Sequence, residues 1–133
     1  MTSTVFVSGT TIASDWLNDV NNVVYNNGLS RRQAIPYSAS MAVDNTYQSF
    51  TITATNGTAF TVTNPLYPTY DGETITFTIR NASGGALGTA TWGTLYKLAT
   101  WTQPANGFSR SITFLCDGTN FIELSRTTAD VPN

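Results

Sequence analysis

The chain has 133 residues, the size of one compact domain with a short appendage, and is long enough to bury a core without metal or disulfide staples. Only 11% of its residues are charged and its net charge is −2, which excludes both the basic footprint of a nucleic-acid binder and the charge-rich composition of a disordered chain. It has no histidine and one cysteine, Cys116, so no intrachain disulfide is possible, and it has no apolar run long enough for a membrane span.

Taken in order, Thr4–Val7 reads as an extended arm or short strand. Met1–Ser8 lack a basic region followed by an apolar core, so no signal peptide is expected and synthesis is expected in a cytoplasm. A helix is predicted over Asp15–Tyr25. Ser14 suits the free N–H groups of its first turn, and Asp15 suits the positive end of its dipole. Ala13, Trp16, Val20 and Val23 follow the a/d spacing of a helix that meets other helices. A helix this short is marginal alone, so it needs its own domain, a copy of itself or a larger assembly. Trp16 serves either as a contact to the chain's own β domain or as a docking wedge. Asn26-Asn27-Gly28 ends the helix, Leu29–Ile35 is a polar connector, and Pro36 opens the second part.

Beyond Pro36 the period becomes two. Phe50, Ile52 and Ala54 alternate with threonines, as do Phe60 and Val62, and Ile75, Phe77 and Ile79. Ile112, Phe114 and Cys116 alternate with Ser111, Thr113 and Leu115. Each run carries an apolar face and a largely hydroxyl face, the mark of antiparallel strands packed on one side. Asn56-Gly57 and Asp117-Gly118 are hairpin signals. The expected fold is mainly β: an antiparallel β-sandwich or jelly-roll of about eight strands over residues 31–133, preceded by an arm and helix in residues 1–30. No internal repeat is visible.

Catalysis has little to build on. The commonest general base is missing with histidine, and no nucleophile elbow is present. Asp71 and Glu73, or Asp117 and Glu123, are carboxylate pairs, but Asp71 and Asp117 have simpler work ahead of turn glycines. The scattered aspartates lack metal-loop spacing, so neither metal nor cofactor is expected. Cys116, alternating with Ile112 and Phe114, reads as an inert buried thiol. Trp92, Tyr96 and Trp101, with Tyr67 and Tyr70 earlier, form an aromatic group. They read chiefly as packing, with stacking on a glycan as the alternative.

The segment Gly9–Asn26 resembles an N-terminal motif of tailed-bacteriophage structural proteins, notably tail fibres and tailspikes, in which a (F/Y)-x-x-G-T piece leads into W-L-N-x-V. Phe6, Gly9, Thr10, Trp16, Leu17, Asn18 and Val20 carry the match. Trp92-Gly93, Tyr96-Lys97-Leu98, Ser111–Phe114, Asp117–Phe121 and Glu123 are similar to the C-terminal part of small phage structural proteins. The resemblance implies a virion protein, made in the host cytoplasm; the composition, charge and missing histidine lead to the expectation of no enzymatic activity, no nucleic-acid binding and no membrane insertion. Its expected role is a capsid decoration (cement) or head-fibre protein, mounted on the major capsid protein or another virion protein through its N-terminal segment. The helical stripe and the charge-poor strands lead to the expectation of a homotrimer. The expected attachment and self-association residues are Phe6, Ala13, Trp16, Leu17, Val20, Val23 and Val24. The alternatives are a short tail fibre or tail adaptor touching host-surface glycan through Trp92, Tyr96 and Trp101, and a free carbohydrate-binding module.

Overall fold

The computed structural model describes residues 32–133. The arm at Thr4–Val7, the helix over Asp15–Tyr25 and the interface residues Phe6, Ala13, Trp16, Leu17, Val20, Val23 and Val24 lie outside the described residues. Ten strands follow: β1 (Arg32–Ile35), β2 (Ser40–Val43), β3 (Ser49–Ala54), β4 (Phe60–Pro65), β5 (Thr74–Asn81), β6 (Ala90–Trp92), β7 (Tyr96–Lys97), β8 (Phe108–Cys116), β9 (Phe121–Arg126) and β10 (Val131–Pro132). The connector expected over Leu29–Ile35 therefore contains a strand. No helix among the described residues is long and apolar enough to cross a membrane.

The fold is mainly β, as the alternation requires. The pairing, however, is mixed rather than antiparallel. One seven-stranded sheet has the order β1-β3-β5-β8-β9-β7, with β10 beside β8, and a three-stranded sheet has the order β2-β4-β6. β1, β3 and β5 are parallel, and so are β2, β4 and β6, and β7 with β9. Only β5–β8, β8–β9 and β8–β10 are antiparallel. The chain changes sheet at every strand from β1 to β6, winding in successive turns that stack like with like. Period-two patterning reports one buried face per strand and is silent on the direction of the neighbour.

The turn signals divide accordingly. Asp117-Gly118 does close the β8–β9 hairpin. Gly118 sits at φ 91°, and the Asp117 carboxylate accepts the N–H groups of Thr119 and Asn120 at 2.9 and 2.7 Å. Asn56-Gly57 makes no hairpin, because β3 and β4 belong to different sheets.

Inward side chains of both sheets form one core, including Met41, Val43, Phe60 and Val62 from the smaller sheet and Phe50, Ile52, Phe77, Ile79, Ile112 and Phe114 from the larger. Phe50 stacks on Phe77 with centroids 4.9 Å apart, and both are fully buried. Each such side chain contributes about 1.5–3 kcal/mol by leaving water.

Two groups of loops result. Segments 44–48, 66–73, 93–95 and 117–120 gather at one end. There the Asn45 side chain accepts from Tyr67 N–H at 2.9 Å, Gly72 N–H donates to Cys116 O at 2.9 Å, and Phe121 N–H donates to Leu95 O at 2.9 Å. Segments 36–39, 55–59, 82–89 and 98–107 gather at the other end. There Tyr37 Oη donates to Thr58 O at 2.6 Å, and Gln103 Nε2 donates to Gly88 O at 2.7 Å.

Candidate functional site

The aromatic group predicted from the sequence is real, and β6, β7 and loop 98–107 assemble it. Trp92 lies 5.6 Å from Tyr96 and 5.9 Å from Trp101, centroid to centroid, both in edge-on geometry. Tyr96 is 5% exposed and packs against Phe77, Phe114 and Phe121. It presents no ring face on which a sugar could stack. Burial pushes its phenol well above the ordinary tyrosine value, and the nearby Glu73 charge pushes the same way. Trp92, half-buried, spans the two sheets by touching Phe77 and Phe114.

Trp101, like Trp92, is partly open, and its surroundings hold it in place. Its Nε1 donates to Gln103 Oε1 at 2.9 Å. The Arg126 guanidinium lies over its ring, 5.7 Å from the centroid. Arg126 is itself fixed by the Glu123 carboxylate and by the carbonyls of Thr100 and Ala99 at 2.8 and 3.0 Å. The geometry is that of a plug closing the core at the β6–β7 side.

Tyr67 and Tyr70 are not part of this group. They lie in loop 66–73, which leads into β5, whereas Trp101 is tied through Gln103 to Gly88, beyond the far end of β5. Leu66, Tyr67 and Tyr70 are 59%, 52% and 67% exposed, the most open aromatic-bearing loop among the described residues. Sequence reasoning grouped these tyrosines with the tryptophans. Pro68, which has no ladder donor and stands between the two tyrosines just beyond β4, is the signal that they stand apart.

Three of the four candidate carboxylates, Glu73, Asp117 and Glu123, have structural partners. Glu123 is held below the usual carboxylate range by the Arg126 guanidinium and by Ala99 N–H. Asp117 is held low by the N–H groups of Asn120 and Thr119. Glu73 accepts Tyr70 N–H at 3.3 Å. No group of three or more metal-ligating side chains occurs among the described residues.

A second surface emerges that single strands do not reveal. The outer face of the larger sheet is a field of hydroxyls. Thr76 bonds Thr113 and Thr78 bonds Ser111 across β5 and β8, each at 2.9 Å, and Arg32 Nε donates to Thr51 Oγ1. Beside this field, Leu115 and Ile122 face each other across β8 and β9, and Leu124 follows; the three are 38%, 42% and 60% exposed. Hydroxyls that bond one another can meet a neighbouring surface at little desolvation cost, and the leucine–isoleucine strip adds apolar area.

No family model matches the chain, and neither a curated protein nor a solved structure shows significant similarity to it.

Proposed function

We propose that this chain is a structural protein of a phage virion, a homotrimeric capsid decoration or head-fibre protein that mounts through its N-terminal segment. The observation that carries the reading is the outer face of the larger sheet. Four of its hydroxyls are paired, Thr76 with Thr113 and Thr78 with Ser111, Arg32 bonds Thr51 at its β1 edge, and Leu115, Ile122 and Leu124 stand open beside it. Such a face is suited to packing against copies of itself, and many weak contacts repeated around a shell add up through avidity. The motif at Phe6, Gly9, Thr10, Trp16, Leu17, Asn18 and Val20 supplies the phage resemblance and the mounting segment. In this reading, the two facing sheets act as a β-sandwich projecting from the mount.

One observation favours a second reading, a short tail fibre or tail adaptor that touches host glycan. Tyr67 and Tyr70 stand open on one loop, and exposed aromatic rings suit recognition surfaces. That contact would use loop 66–73 in place of Tyr96.

Copy number in purified particles, measured by quantitative mass spectrometry against the major capsid protein, tests the proposal. A number in proportion to the capsid protein places the chain on the head. A number fitting one ring of subunits places it on the tail and turns attention to Tyr67 and Tyr70. Absence from particles overturns the virion reading.

A further inference from the structure

The chain contains three Asn-Gly pairs: Asn27-Gly28, Asn56-Gly57 and Asn106-Gly107. The first lies outside the described residues. In such a pair the glycine nitrogen can attack the asparagine Cγ, because no side chain on the following residue shields the approach. We propose that Asn56-Gly57 is a self-modifying site, converted to aspartate and isoaspartate in the folded protein, while the fold protects Asn106-Gly107.

The two pairs differ in what holds the reacting atoms. At position 56 the side-chain Oδ1 accepts Thr58 N–H at 3.0 Å. This donor polarises the amide and faces the oxygen on which negative charge develops during attack, the arrangement that stabilises tetrahedral intermediates in acyl transfer. The Gly57 N–H donates no hydrogen bond among the described residues, and Gly57 is exposed. Tyr37 Oη pins the segment by donating to Thr58 O at 2.6 Å and to Asn56 O at 3.3 Å. At position 107 the attacking nitrogen is engaged, with Gly107 N–H donating to Asn81 O at 2.9 Å. Asn81 is fully buried, so its carbonyl cannot swing aside. Asn106 Oδ1 also accepts an N–H, from Gly84 at 2.8 Å, so the difference between the two pairs lies in the attacking nitrogen. Attack there requires the Gly107 N–H bond to Asn81 O to break first.

The step balances with water as its only co-reactant. The Gly57 nitrogen gives up its proton and bonds to Asn56 Cγ. The Cγ–Nδ2 bond breaks, and ammonia leaves carrying that proton. Water then opens the succinimide at either carbonyl. Opening at the side-chain carbonyl yields aspartate, and opening at the main-chain carbonyl yields isoaspartate. Either product adds one negative charge. Isoaspartate also adds a carbon to the main chain of segment 55–59, which carries the chain from one sheet to the other.

The test is peptide mapping by mass spectrometry of the full-length protein aged in mildly alkaline buffer, with a parallel sample in urea. Deamidation reads as a gain of about one dalton, and electron-transfer fragmentation identifies isoaspartate. In the folded protein, Asn56 is expected to convert about tenfold or more faster than Asn106, with the two rates converging in urea. Equal rates in the folded protein, or an Asn56 that stays intact while it converts in urea, would overturn the proposal. The variant Asn56→Gln is expected to lose the mass gain on the peptide spanning residues 56–58, and persistence of that gain overturns the assignment.

Discussion

Two buried polar side chains, Asn81 and Tyr96, show how differently the same degree of burial can act. Asn81 is fully buried and fully used. Its Nδ2 donates to Pro104 O and Gly85 O at 3.0 and 2.9 Å, and its Oδ1 accepts from the N–H and hydroxyl of Ser83. Tyr96 Oη and Trp92 Nε1 are buried without a hydrogen-bond partner among the described residues. A buried polar atom left unbonded carries its desolvation cost uncompensated. The variant Asn81→Ala is therefore expected to lose about 2–3 kcal/mol in urea unfolding, because it strands Pro104 O and Ser83 N–H. Tyr96→Phe is expected to be neutral or to gain up to about 1 kcal/mol. A clear loss of stability in Tyr96→Phe would show that the hydroxyl is satisfied after all. At this scale the sequence was partly legible: it marked Trp92, Tyr96 and Trp101 as neighbours, but burial of a ring depends on what packs above it, and Tyr96 receives Phe77, Phe114 and Phe121 from three other strands.

At the scale of elements, the apolar alternation marked the centres of β3, β4, β5 and β8 and fell up to three residues short at one end. It did not reveal direction, because a strand with one wet face looks alike beside a parallel or an antiparallel neighbour. The parallel direction follows from the chain changing sheet at each strand from β1 to β6, and it brings successive turns into close contact. A Cβ placed on Gly93 would lie 2.3 Å from Asn64 Oδ1 and 2.6 Å from Asn64 N, and Gly93 N–H donates to Val62 O at 2.8 Å. The backbone beyond β6 thus rests directly on the end of β4, and Asn64 Oδ1 accepts Leu95 N–H at 3.0 Å to clamp the next segment. Gly93→Ala is expected to cost about 1–3 kcal/mol in urea unfolding, the range for overpacking a site that cannot relax; an unchanged midpoint would mean that the turns separate easily.

The ends of β8 and β9 carry the acid sensitivity. Arg126 with Ala99 N–H depresses the Glu123 carboxyl, and Arg110 with Ala105 N–H depresses that of Asp130. A carboxyl with a lowered folded pKa adds stability above its unfolded value, and that stability is lost as pH falls through the folded value. The thermal midpoint is therefore expected to drop as pH falls from about 5 toward about 3. Glu123→Gln should lower the midpoint at neutral pH and flatten that acid limb. A variant with the same acid limb as the parent would show that the pair contributes nothing to folding.

At the scale of the whole molecule, the winding explains why no repeat was legible. The connections 36–39, 55–59 and 82–89 occupy equivalent places in successive turns but lengthen along the chain, and so do 44–48 and 66–73. The structural repeat therefore has no fixed period in the sequence. Because β1 to β6 alternate between sheets that share one core, removing any one of them disturbs both sheets, and unfolding is expected as a single transition. Among the described residues the core is filled from Ile35 to Phe121 by side chains of this same region, and every strand finds its ladder there. Deleting Met1–Gly28 is accordingly expected to leave one cooperative transition, with the tryptophan signal of Trp92 and Trp101 coinciding with the far-ultraviolet signal. The same truncation is expected to abolish attachment to particles in a reconstitution assay, since it removes Phe6, Ala13, Trp16, Leu17, Val20, Val23 and Val24. The two readouts separate folding from mounting. A truncated protein that folds and still decorates particles moves the mount onto the described region, where the strip of Leu115, Ile122 and Leu124 becomes the surface to mutate. A truncated protein that no longer unfolds in one transition shows that the deleted segment is part of the fold as well as the mount.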